Sequence, residues 1–208
     1  FAGGLITNFL LETVKFSLSE IGLVNKVFGL LATILGAIVG GYLLKKIGLW
    51  RGLLIFGALQ AITNLGYWWL ALKGKGSLPN WIQFERADWM KVFLSQKAMK
   101  SADVIIQIDT GLLLAVFLEN FAGGMGTIAL VALMMALCSR KESTATQFAL
   151  LSALSAIGRV YVTPTTPYLI DSWGWAHFFL FSMSAAIPAL LMLFWMRRVV
   201  GDLDKTKV

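Results

Sequence analysis

Long apolar runs that each enclose a charged residue constrain this chain more than any other feature. From Leu112 to Leu137 the charged exception is Glu119, which stands next to Asn120, and from Ala145 to Ile170 it is Arg159. A charge at bilayer depth costs about 2.5 to 3.5 kcal/mol on insertion scales, so such residues are usually paired or face a water-filled cavity. We therefore expect function at Glu119 and Arg159.

The composition excludes a soluble globular domain. Hydrophobic residues make up 58% of the chain, charged residues only 14%, and the mean hydropathy is +0.75. A soluble domain of 208 residues could not bury that much apolar surface. The apolar runs have the length of about 20 residues that a membrane-spanning helix needs, and the alternating pattern of barrel strands is absent. The sequence predicts an all-α, polytopic transmembrane helix bundle.

The net charge of +7 does not indicate a nucleic-acid partner, because Lys and Arg lie mostly outside the predicted spans, many of them in short loops. The single Cys138 excludes an internal disulfide. With one His and one Cys, the chain offers neither a metal or cofactor site nor a nucleophile with a partnered base. We therefore expect no cofactor, no metal and no soluble-type enzyme.

The predicted spans follow in chain order. Complete spans are expected at residues 21–44, 52–72, 106–137, 145–170 and 175–196, followed by a polar tail at 197–208. Residues 1–11 are apolar but too short for a span, so we expect the end of a truncated helix and a chain that is the C-terminal part of a larger protein. No cleavable signal peptide is visible.

Residues 73–105 form the only long connection between spans. Its mixed stretch at 81–99 predicts a short amphipathic helix in the headgroup plane, and a lid over a translocation path is the alternative interpretation. Lys and Arg in the short loops lie mainly on the side that holds residues 45–51, 139–143 and the tail. This distribution predicts a cytoplasmic C-terminus.

Small and polar residues form stripes on two predicted helices. The span at 21–44 has such residues at helical spacing: Asn25, Gly29, Thr33, Gly36 and Gly40. Gly36 and Gly40 make a GxxxG pair, which predicts close approach of another helix. The span at 145–170 carries the stripe Ser152, Ser155, Arg159, Thr163 and Thr166. Pro164 and Pro167 then predict a kinked or irregular end of that span.

These charges and stripes are typical of a transport path. Glu119 is the candidate for proton exchange, with Asp109 as a second acid in the wetter outer interface. The candidate substrate contacts are Arg159, Lys26, Asn25, Asn120 and Ser155. Two alternatives stay open: Glu119 and Arg159 could form a static salt bridge, and Lys26 could snorkel to the interface instead of facing a cavity.

Several runs resemble known transporters. Residues 41–51 resemble the loop signature between helices 8 and 9 of major facilitator transporters, with Lys45 in the place of the usual Asp. More specifically, IGLVNKVFGLLATILGAIVGG, ENFAGGMGT and ATQFALLSALSAIGRVYV are similar to AmpG muropeptide permeases. The resemblance implies a gating loop with Gly41, Lys45, Lys46, Gly48 and Arg51, and the missing Asp means that no charge relay through this loop carries over.

The resemblance implies the second six-helix half of a transporter whose N-terminal half is the partner, with residues 1–11 ending helix 7 and the spans forming helices 8 to 12. It also implies proton-driven import of anhydromuropeptides (GlcNAc-anhydroMurNAc peptides) across the bacterial inner membrane, for peptidoglycan recycling and β-lactamase induction. Glu119 would then face the path, and Gln60 and Asn64 would be packing residues. The alternatives are a transporter of another organic anion or acyl-CoA, a non-transporting membrane scaffold, or a polytopic enzyme.

Overall fold

The computed structural model describes residues 3–76, 78–79, 82–85, 105–138 and 144–205. The first helical elements are α1 (Gly3–Asn8) with a π-helical turn (Phe9–Thr13), then α2 (Leu18–Leu23), a second π-helical turn (Val24–Gly29), α3 (Leu30–Ile47) and α4 (Leu49–Lys73). Two short strands follow, β1 (Ile82–Glu85) and β2 (Ile105–Ile108). The remaining elements are α5 (Thr110–Leu137), α6 (Thr144–Val162), a 3-10 turn (Thr163–Thr165), α7 (Thr166–Ser184), α8 (Ala186–Trp195) and α9 (Arg197–Lys205).

Four helical stretches among the described residues are long and apolar enough to cross a membrane. They are Leu18–Ile47, Leu49–Lys73, Thr110–Leu137 and Thr166–Trp195. The chain is therefore a transmembrane helical bundle, as the composition predicts. The predicted span at 145–170 begins with the apolar helical stretch Thr144–Ile157 of α6.

The chain enters α5 through a strand. Residues 105–108 pair antiparallel with β1, with Ile82 opposite Ile108, so the prediction that the span begins in helix at residue 106 is wrong. β-branched Ile residues favour a strand here. Asp109 then acts as the N-cap of α5, because its Oδ1 accepts a hydrogen bond of 3.0 Å from the Leu112 backbone N–H.

The same strand pair corrects the interpretation of the long connection. Residues 82–85 are a strand and not part of an amphipathic helix, and their sequence IQFE alternates apolar and polar positions with the period of a strand. The rest of the predicted helix, residue 81 and residues 86–99, lies outside the described residues.

The prolines interrupt the chain as predicted. α6 ends at Val162, a 3-10 turn contains Pro164, and Pro167 stands in the first turn of α7, where a proline costs no helical hydrogen bond. The helix then runs through residues 171–174, which separate the two predicted spans, and is kinked at Gly174, whose φ of 75° favours glycine. The last predicted span at 175–196 is thus α7 after its kink, followed by α8.

Helix α5 packs closely against α3 through glycine. A Cβ on Gly36 would overlap the Phe121 carbonyl, and one on Gly40 would lie 2.8 Å from the Cα of Met125. From the other side, a Cβ on Gly124 would overlap the Thr33 carbonyl. The structure confirms the close approach predicted for the GxxxG pair, and it assigns Gly124 to helix packing.

The polar tail folds onto the bundle. Residues 197–205 form α9, and its Val200 is buried in a cluster with Leu49 and Leu53 of α4. The indole N–H of Trp50 donates a hydrogen bond of 2.9 Å to the Leu193 carbonyl near the end of α8, where carbonyls lack partners within their own helix. The start of α4 therefore holds the end of α8 and the first half of α9.

Candidate functional site

Glu119 lies half-buried in the first half of α5 and faces α4. The hydroxyl of Tyr67 donates a hydrogen bond of 2.7 Å to Oε2 of Glu119. Tyr67 is fully buried, and its ring stacks on Phe179 of α7 at a centroid distance of 5.7 Å. Glu119 is thus held by a tyrosine that α4 and α7 together keep in place.

Sequence reasoning did not single out Tyr67 as a partner of Glu119. The usable signal was helical spacing, because Tyr67 follows Gln60 and Asn64 on one face of α4. The predicted pair of Glu119 and Arg159 stays a prediction. α6 contains the backbone of Arg159, but the Arg159 side chain lies outside the described part of the chain.

Asn120 faces α3, on another side of α5. Its Nδ2 donates a hydrogen bond of 2.8 Å to the Val116 carbonyl, and its Oδ1 lies 3.4 Å from the Thr33 hydroxyl. That hydroxyl also donates 2.9 Å to the carbonyl of Gly29. These contacts tie the polar stripe predicted on the first span to α5 and leave the Asn120 amide half-buried.

Asn25 and Lys26 lie in the π-helical turn of the first span. Lys26 is exposed and Asn25 is half-buried, and Lys26 makes no ion pair with any described residue. π-helical turns inside α-helices occur frequently at functional sites. A cation that is exposed on a span needs water, headgroups or another part of the protein beside it.

The other predicted substrate contact and the gating loop lie on other elements than Glu119. Ser155 is exposed on α6, and its hydroxyl donates 2.7 Å to the Ser152 carbonyl. The gating-loop residues are Gly41, Lys45 and Lys46 in the last turns of α3, Gly48 between the helices and Arg51 in the first turn of α4. The φ of 82° at Gly48 produces the sharp reversal between α3 and α4.

Asp109 is buried and not wet, so the prediction of a solvated outer acid is wrong. Its Oδ2 accepts a hydrogen bond of 2.7 Å from the Gly76 backbone N–H. The backbone N–H of Asp109 itself donates a hydrogen bond of 2.8 Å to Oε1 of Glu20. Glu20 is also buried and forms an ion pair of 2.7 Å with Lys75. We call Glu20, Lys75, Gly76 and Asp109 the Glu20–Asp109 cluster.

This cluster joins three segments of the chain at one end of the bundle: the start of α2, the residues after α4 and the start of α5. Its carboxylates are satisfied by backbone N–H groups and one ammonium, which is what burial of a carboxylate requires. Within the described residues, no group of three or more His, Cys, Asp or Glu side chains is placed to hold a metal.

Comparison with known proteins gives relatives that are named transporters. The chain is 44% identical over 200 residues to an anhydromuropeptide permease of Escherichia coli (strain K12), which covers 96% of this chain. It is 33% identical over 199 residues to a protein of Rickettsia conorii that carries the name AmpG 4. The resemblance to AmpG permeases is therefore confirmed. The chain spans only 34% of the first relative and 40% of the second. No protein-family profile matches the chain.

Proposed function

We propose that this chain, related over nearly its whole length to proteins named as anhydromuropeptide permeases, is the C-terminal half of a proton-coupled importer of anhydromuropeptides. It works with an N-terminal half of the same transporter in the bacterial inner membrane, with its own C-terminus in the cytoplasm. The imported sugar-peptides are recycled into peptidoglycan. The observation that carries the proposal is the identity of 44% over 96% of this chain.

The contacts of Glu119 support a role in proton coupling. A carboxyl group inside a span is costly unless it has a function or a partner, and the described partner of Glu119 is the hydroxyl of Tyr67. That hydroxyl donates to the charged form, while loss of the charge would weaken the bond. Proton uptake at Glu119 would therefore loosen its contact with α4.

The polar residues on the neighbouring elements support cargo binding. Lys26 is an exposed cation without an ion-pair partner among the described residues, which suits a carboxylate of the peptide moiety. Asn25 and Asn120 offer amide groups that suit sugar hydroxyls and peptide carbonyls. Arg159 and Ser155 on α6 complete the proposed contacts.

The geometry of Asp109 supports a positioning role and not a second proton site. Its carboxylate accepts backbone hydrogen bonds from Gly76 and Leu112 and caps α5. In this proposal Asp109 fixes the entrance of the helix that carries Glu119. The gating loop with Lys45, Lys46 and Arg51 lies at the opposite end of that helix.

The test uses the full-length transporter in vesicles with an imposed pH gradient. The proposal expects uptake of labelled anhydromuropeptide that a protonophore abolishes. Glu119→Gln is expected to lose most of the gradient-driven uptake, and Glu12→Gln, which changes an exposed acid near the start of the chain, is the matched control. Gradient-driven uptake by Glu119→Gln equal to that of the unchanged protein would remove Glu119 from coupling.

A panel of cargoes separates the alternatives. Uptake of acyl-CoA or another organic anion in preference to anhydromuropeptide would keep the transporter fold and replace the cargo. If the protein neither takes up any of the compounds along the gradient nor binds any of them, the membrane scaffold is favoured.

A further inference from the structure

The break between α8 and α9 forms a cleft of about 330 Å³ lined by Phe194, Trp195, Arg197 and Arg198. Met196 leaves the helical conformation, with φ −80° and ψ 11°, and thereby turns the chain from one helix into the next. Two guanidinium groups and two aromatic rings therefore meet where an apolar helix ends. The transport path proposed above uses none of these four residues.

The charges of the cleft have no protein counterion among the described residues. Arg197 and Arg198 are both exposed, and neither forms an ion pair with a described side chain. The guanidinium carbon of Arg197 lies 5.7 Å from the ring centroid of Phe194, so this ring holds the cation in the cleft. The described lining of the cleft thus carries two positive charges.

The position of the cleft places it at the surface of the bilayer. The span Thr166–Trp195 ends at its edge, and the apolar side chains Leu191 and Met192 of α8 are exposed beside it. Trp195 has 87% of its surface exposed, which is typical of a tryptophan at the membrane interface. The cleft therefore borders hydrocarbon on one side and headgroups on the other.

The Arg side chains are held at this level by the docking of α9. Val200, three residues after Arg197, is buried against α4, and Trp50 fixes the end of α8 through its hydrogen bond to Leu193. Arg197 and Arg198 thus lie at the start of an anchored helix and not in a loose tail. A binding group whose backbone is already ordered loses less entropy on binding.

We propose that this cleft binds the headgroup phosphate of an anionic phospholipid. The guanidinium groups of Arg197 and Arg198 grip the phosphate, for which the planar fork of arginine is better suited than an ammonium. The acyl chains run along the exposed face of α8, and Trp195 lies at the glycerol level. The ligand is a lipid and not a free phosphate, because the cleft continues into an apolar surface.

The test is retention of lipid by the full-length protein, counted by native mass spectrometry after release from nanodiscs of equal parts phosphatidylglycerol and phosphatidylcholine. The proposal expects retained phosphatidylglycerol that falls at least tenfold in Arg197→Gln/Arg198→Gln. The control Lys45→Gln/Lys46→Gln removes the same charge from exposed residues at the same end of the bundle and is expected to keep the lipid. Equal loss in both double variants would show general charge attraction and overturn the site.

A conservative variant covers misfolding of the neutral one. Arg197→Lys/Arg198→Lys keeps the charge but loses the two-pronged contact, and it is expected to retain several-fold less phosphatidylglycerol than the unchanged protein. Full retention of phosphatidylglycerol by this variant would overturn the proposed contact of the two guanidinium groups with the phosphate. Displacement of the lipid by millimolar inorganic phosphate would show a free-anion site and overturn the lipid assignment.

Discussion

Nζ of Lys75 lies 2.7 Å from Oε2 of Glu20, and this ion pair joins the residues after α4 to the start of α2 across 55 positions of the chain. The two partners differ in burial: 2% of the Glu20 side chain is exposed, against 41% for Lys75. Loss of Lys75 and loss of Glu20 should therefore reduce the stability of the fold by different amounts. A Lys75 without its partner turns to water, whereas a Glu20 without its partner stays buried.

We expect Lys75→Met to destabilise the protein more than Glu20→Gln. The first change leaves a buried carboxylate without its counterion, which costs more than the about 1 to 3 kcal/mol of an unsatisfied neutral group. The second keeps an oxygen that accepts from the Asp109 N–H and loses only an ion pair that is half solvated, worth about 1 kcal/mol or less. Apparent melting temperatures of the full-length protein in detergent measure the order. Lys73→Met, an exposed lysine two residues earlier, is the control, and the reverse order would contradict the argument.

Glycine substitutions test the contact between α3 and α5. Gly36→Ala places a methyl group against the Phe121 carbonyl, so the helices must separate and we expect a loss of at least 1 to 3 kcal/mol, about the cost of overpacking a core. Gly41→Ala is the matched control, because a Cβ there meets nothing within 4 Å. The control should be neutral or stabilising by about 0.5 to 1 kcal/mol. Equal melting temperatures of the two variants would refute the close contact.

The sequence predicted the features that depend on apolar length and on residue size. Spans, the GxxxG contact and the proline break each follow from a local rule that holds in any surrounding. The prediction failed where the partner of a residue comes from elsewhere in the chain. Asp109 resembled a surface acid because Gly76, which donates to it, stands 33 positions away.

For the same reason, the sequence could propose only part of the candidate site. Glu119 became a candidate because a charge in the membrane is costly and this residue stands inside an apolar run. Tyr67 was not marked, since an aromatic residue near the end of a span is typical of an interfacial anchor, and only the packing of α4 against α5 brings its hydroxyl to Glu119. The tail was interpreted as polar because the burial of Val200 depends on the surface that α4 offers to it.

Tyr67→Phe isolates the hydrogen bond to Glu119. The ring that stacks on Phe179 is kept, so we expect the fold to persist. The free energy of unfolding should fall by about 1.5 to 3 kcal/mol, the contribution of a hydrogen bond to a charged group. In the proposed transporter, gradient-driven uptake should fall several-fold and its pH profile should move, while affinity for cargo stays close to normal. Uptake at several pH values and a separate binding titration measure the two effects.

The control for this change is Tyr42→Phe, which removes a hydroxyl from an exposed tyrosine on α3 and should alter neither quantity. A lower melting temperature for Tyr67→Phe with an unchanged pH profile would assign Tyr67 to stability alone.

The docking of α9 is tested by two adjacent valines. Val199 is 57% exposed and Val200 only 3%, so the same substitution meets solvent at one position and the cluster with Leu49 and Leu53 at the other. Burial of Val200 contributes about 1.5 to 3 kcal/mol, whereas an unpaired carboxylate in its place costs several kcal/mol. In Val200→Asp the helix should therefore leave α4 instead of burying the charge. Amide hydrogen exchange of residues 197–205 should accelerate in Val200→Asp and stay unchanged in Val199→Asp. Since the headgroup site depends on the anchored helix, Val200→Asp should also lose phosphatidylglycerol although both arginines remain, and full retention would show that the arginines bind lipid without the docked helix.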